Sequence, residues 1–159
     1  MGIEKGLFQL IQTDSVVSSL VDMTGGKGVY WILVPKGAAY PCIVLSRVAT
    51  SDTNTVAGDA GFRNALFQID CYASTYYPAK AIAAAVRNVL KSFKGNLPDA
   101  ESTAVGGVLQ TKDWDMPYEE GATGFVNRAL LEFRVWYYDT TLPITPLPSG
   151  PAVIDGGNF

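Results

Sequence analysis

Apolar side chains recur at helical spacing near the start of the chain and at alternating spacing further on. Ile3, Leu7, Leu10 and Ile11 share one face of a helix predicted over residues 3–12, and Phe8 widens that face. Thr13 and Asp14 break it and offer a cap to a short second helix carrying Val17, Leu20 and Val21 on one side. Thr24-Gly25-Gly26-Lys27-Gly28 then reads as a turn. A strand is predicted over 29–34, closed by Pro35. A second runs from Pro41 to about Thr50, with Ile43, Leu45 and Val48 as its apolar content. Residues 51–61 are polar and contain glycine, which predicts a loop.

The next strand alternates cleanly. Phe67, Ile69 and Cys71 point one way, while Gln68 and Asp70 point the other, toward a face expected to be wet. A long helix follows over 76–93, with Ala79, Ile82, Ala83, Val86, Val89, Leu90 and Phe93 as its stripe. Ser74 or Thr75 is its expected cap and Gly95 its stop. Strands over 104–114 and 128–138 complete the pattern. In the last, Leu131, Phe133, Val135 and Tyr137 oppose Glu132, Arg134 and Trp136. The order ααβββαββ predicts an α+β domain over residues 1–138: a mainly antiparallel sheet of about five strands with helices on one face. Residues 139–159 hold four of the nine prolines and no base, which predicts an extended tail.

Composition narrows the function classes. The 159 residues suffice for one domain, and 48% hydrophobic with 17% charged residues is the composition of a globular chain slightly short of surface charge, as partner-covered surfaces are. Net charge is -3 and the cations are dispersed, so no nucleic-acid footprint is expected. Lys80, Arg87, Lys91 and Lys94 read as a solvated helix face. Residues 99–120 carry six acids and one base, Lys112. Cys42 and Cys71 lie in strands and are expected to be free thiols. Glu4 and Lys5 lead into an amphipathic stretch, so neither a signal peptide nor a membrane span is expected, and Gly6 stands where an N-myristoylation motif beginning at Gly2 wants Ser or Thr.

Catalytic chemistry has few candidates. The chain has no histidine, which removes His-based triads and His metal ligands. Lys27 in the glycine turn precedes glycine where a phosphate loop needs Ser or Thr. Asp113 and Asp115 share one face of an extended segment, and a metal-dependent enzyme using them is the weaker alternative to an acidic turn. Asp70 and Glu132 are expected to form cross-strand pairs with Arg134. No cofactor or metal is assigned. The aromatic residues carry more information, because Tyr and Trp anchor protein interfaces. Tyr40, Phe62, Trp114, Tyr118 and Trp136, with Asp59 of the 51–61 loop, are the candidate contact residues.

Several blocks together resemble the tail terminator (tail completion) proteins of long-tailed phages, prophages and gene transfer agents. They are Ile3-Glu4-Lys5-Gly6-Leu7-Phe8-Gln9-Leu10, Tyr40-Pro41-Cys42-Ile43-Val44, Phe67-Gln68-Ile69-Asp70-Cys71-Tyr72-Ala73, the helix containing Ala79-Lys80-Ala81 and Ala84-Ala85-Val86-Arg87, and Phe133-Arg134-Val135-Trp136-Tyr137. The resemblance implies a non-enzymatic virion protein: a homohexameric ring that caps the tail tube, terminates its growth and meets the head-side connector. The partners it implies are further copies, the tail tube protein and a connector or stopper, with DNA passing through the lumen and no membrane. It implies location at the head-proximal end of the tail, and in the host cytoplasm during assembly. Another head–tail connector component is the nearest alternative. Family members often end near Tyr138, so the 139–159 tail is expected to lie across a neighbouring subunit or partner ring.

Overall fold

The computed structural model describes the backbone of residues 2–21, 28–121 and 124–139, and side chains within these except 117–121 and 124–125. The turn expected at 24–28 therefore lies mostly outside the described residues, as does the tail beyond Asp139.

Helix α1 (Gly2–Thr13) buries Ile3, Leu7 and Ile11, as its apolar spacing requires. Helix α2 (Ser15–Leu20) is capped by Asp14, whose carboxylate accepts the backbone N–H groups of Val16 and Val17 at 2.9 Å. Strand β1 (Val29–Trp31) is shorter than its sequence suggests. Ile32 takes a left-handed φ of 68°, which ends the extended run before Val34. Then come β2 (Cys42–Thr55), β3 (Gly58–Ala73), α3 (Tyr76–Leu90), β4 (Gly95–Asn96), β5 (Ala104–Gly121) and β6 (Gly124–Tyr138). Helix α3 stops at Leu90, three residues short of Phe93. Thr75 occupies its N-cap position without a side-chain cap bond.

The sheet has six strands among the described residues, in the order β1-β2-β3-β6-β5-β4. The sequence pattern implied five strands in a mainly antiparallel sheet. The sheet is mixed, because β1 pairs in parallel with β2 over Val29–Trp31, and the two-residue β4 is too short to have a pattern of its own. The remaining pairings are antiparallel. Residues 51–61, expected as a loop, continue β2 and β3 into a long hairpin, with Thr55 opposite Gly58. Alternation cannot reveal this segment, because neither of its faces is buried and no apolar period exists to be read.

One core joins all three helices to a single face of the sheet. Ile43, Leu45, Phe67, Ile69, Leu131, Phe133 and Val135 meet Leu7, Ile11, Val17, Ile82, Val86 and Leu90 there. At about 25 cal/mol per Å² of apolar surface removed from water, this burial is the main stabilising term. Helix α1 approaches the segment after β4 through two glycines. Gly2 is buried against Asp99, Glu101 and Thr103, and a Cβ on Gly6 would stand 2.6 Å from Cβ of Leu97.

Candidate interaction surface

The helix-free face of the sheet is polar yet closely packed. Asp70 and Glu132 are buried there, where a wet face was expected. Their partners are not Arg134. Arg128 Nε donates to Asp70 Oδ1 at 2.9 Å and Gln68 Nε2 to its Oδ2 at 2.8 Å, while the guanidinium lies over the Tyr72 ring. Thr111 Oγ1 donates to Glu132 Oε1 at 2.7 Å and Lys112 Nζ to Oε2 at 3.2 Å, with Lys112 also over the Trp114 ring. Register explains the choice. Lys112 stands directly opposite Glu132, and Arg128 is one diagonal step from Asp70. Arg134 lies level with Leu66, four positions along β6 from Asp70's partner Leu130, or roughly 13 Å at strand rise.

Asp113 and Asp115 face α3. Lys80 Nζ donates to Asp115 Oδ1 at 2.6 Å and to Asp113 Oδ1 at 3.5 Å, Tyr76 donates its hydroxyl to Asp115 Oδ2 at 2.8 Å, and Arg87 reaches Asp113 Oδ2 at 3.4 Å. The acids weighed as metal ligands are thus engaged by cations and a phenol. Lys80 and Arg87, read as a solvated face, latch α3 to β5. The hydrogen bonds from Lys80 and Tyr76 hold the Asp115 carboxyl below its ordinary range. Bonding to Asp115 in turn holds the Tyr76 hydroxyl and Lys80 ammonium above theirs. Both cysteines are free and buried. Desolvation pushes the Cys42 thiol up to about 12 and the Cys71 thiol upward as well, which removes thiolate chemistry near neutral pH.

The candidate contact residues do not form one patch. Phe62 and Trp136 do come together. With Val105, Gly106, Gly107, Tyr138 and Lys94 they line an open groove of ≈ 390 Å³ near the end of β6. Phe62 lies across Gly106, and its ring centroid is 5.0 Å from that of Tyr138. Tyr40 is half-buried elsewhere, tilted against Tyr72 at 6.5 Å. Trp114 is exposed on β5, and Asp59 is exposed near the tip of the β2–β3 hairpin, where its carboxylate accepts the N–H of Gly61 at 2.8 Å. The Tyr118 side chain is outside the described residues.

Sequence reasoning named the 51–61 segment as a contact loop, with Asp59, but did not foresee that it is an extended hairpin. Every residue from 47 to 60 is exposed, and past the Phe62–Tyr138 pair, where β6 ends its pairing, the β2–β3 hairpin continues as a two-stranded arm with Val56 at its tip fully presented to solvent. Tyr138 is half exposed beside the groove, and Ile32 with Leu33, exposed after β1, were missed as surface apolar residues. An isolated apolar residue in a polar segment is the only signal Val56 leaves in the sequence, and that is common on any surface.

This arrangement offers surfaces for contact with other chains. Comparison with known proteins places it among the structural proteins of phage tails. The chain matches the family described as Tail completion protein gp17 over residues 5–138, and it belongs to that family. Among solved structures it is similar to a chain in the virion of a native gene transfer agent particle. That similarity has a TM-score of 0.56 and 22% identity, and covers 86% of this chain and 95% of the other, which establishes a shared fold. No match was found among curated proteins.

Proposed function

We propose that this protein closes the tail tube at its head-proximal end as a ring of identical subunits, stops tube growth and forms the surface on which the head-side connector docks. Membership of the tail completion family over residues 5–138 carries the reading. The surface is consistent with it: a projecting arm, an aromatic groove and carboxylates already paired with cations. The partners on this reading are further copies of the chain, the tail tube protein and a connector or stopper protein. DNA traverses the lumen without specific binding, which a net charge of -3 favours because cations that grip phosphate would slow its passage. The tail beyond Tyr138 lies outside the family match and is proposed to reach a neighbouring subunit or the partner ring.

Electron microscopy of tails made with and without the gene tests the function. Tubes of irregular, excessive length that fail to join heads are expected without it. Tubes of unchanged length that join heads normally would remove the terminator role.

A further inference from the structure

We propose that the β2–β3 arm of one copy docks in the Phe62–Trp136–Tyr138 groove of the next copy, with Val56 as the apolar plug and Asp59 facing Lys94. The inference rests on the ring reading above and names the contact that closes the ring.

The arm is built to be held by something outside its own chain. A two-stranded hairpin alone in water is marginally stable. This one overhangs the point where β6 stops pairing, Phe62 opposite Tyr138, by about four residues, or roughly 13 Å at strand rise. Residues 54–60 at its tip are all exposed, so the tip rests in no groove of its own chain. Val56 at the turn is the large apolar side chain most open to solvent among the described residues. Burying such a group is favourable, and leaving it at the end of an arm has no value to the monomer's stability.

The groove supplies the complement. Phe62, Trp136 and Tyr138 line it as aromatic side chains, beside the backbone of Gly106 and Gly107. A Cβ placed on Gly107 would meet nothing within 4 Å, so backbone is open there to an approaching side chain. Charge matches as well. Lys94 stands at the groove and forms no ion pair among the described residues, while Asp59 beside the arm's tip likewise has no cationic partner among them. The contact is head-to-tail, arm to groove, so each copy gives one half and receives the other. Such heterologous contacts generate closed rings when the rotation between copies closes.

Cysteine cross-linking in assembled tail particles carrying the full chain tests it. The native thiols are buried and silent. Val56→Cys is fully exposed, and Gly107→Cys meets open space, so both fold. The double variant is expected to give a ladder of covalently joined copies on oxidation, which neither single variant gives. Asp59→Lys and Lys94→Asp are each expected to weaken ring closure by up to about fivefold, the scale of an exposed ion pair, and the swapped double variant to recover it. Rings without a ladder, and unaffected by Val56→Ser, would overturn arm docking and leave the ring reading standing. Particles in which the chain forms no ring would overturn both.

Discussion

Strand β3 runs through two environments without a break in its extended backbone. Over 62–73 it lies between β2 and β6, and Phe67, Ile69 and Cys71 are buried under the helices. Over 58–61 it is half of an arm with no β6 ladder beside it and little buried surface. Hydrogen-bonded pairing is common to both parts. Burial is not, and burial decides where stability resides. The lower part of the strand holds the fold, while the upper part contributes little to it.

Substitutions that respect this division should separate the two roles. Phe67→Ala is expected to have the largest effect, about 3–5 kcal/mol and a melting midpoint lowered by roughly 10 °C, because it empties a fully buried site. A loss below 1 kcal/mol by thermal or urea unfolding would mean the core does not depend on this strand. Asp70→Ala should follow at about 2 kcal/mol, since it removes the buried carboxylate to which Arg128 and Gln68 both donate. Replacing the pair together, Asp70→Leu with Arg128→Met, should recover part of that. If the double variant is as unstable as the single one, the pair is not the source of the loss.

Gly61 marks the boundary between strand and arm. Its φ of 67° is left-handed and its surroundings are open, so Gly61→Ala costs about 1 kcal/mol through backbone strain alone. A smaller effect is expected at the α3–β5 latch. The depressed Asp115 carboxyl contributes stability that is present above its unfolded value of 3.8 and is lost as pH falls through its lower folded value. The raised Tyr76 hydroxyl works in the opposite sense, contributing below its ordinary 10.0 and fading as pH rises through the folded value. Asp115→Asn should therefore flatten the acid limb of a melting-versus-pH curve, and an unchanged limb would show that the latch is silent. Val56→Ser should shift stability by no more than about 0.5 kcal/mol, as expected for a side chain that touches nothing in its own fold. A substantial loss would place Val56 in the body of the protein and erase the distinction drawn between the two parts of β3.

Much of the body was legible in residue order. Alternation at 67–71 and 131–137 identified the buried face of two central strands. The 3.6-residue period identified α1 and α3, and Asp14 marked the start of α2. Phe62 and Trp136 were named from sequence as candidate contact residues, and the structure brings the two together at one groove. The arm was not legible, since a strand solvated on both faces has no period. The partners of Asp70 and Glu132 were not legible either, because one residue of register exchanges every cross-strand neighbour.

The sequence by itself determined which side chains must leave water, and with them the helices, the central strands and the absence of imidazole chemistry. Tertiary structure alone decided the parallel β1, the reach of the arm, the pairing of the buried carboxylates and the meeting of Phe62 with Trp136, residues 74 positions apart. The reason is physical. Hydrophobic periodicity is a local property of consecutive residues, whereas strand order and register are settled by which distant segments can bury their faces together.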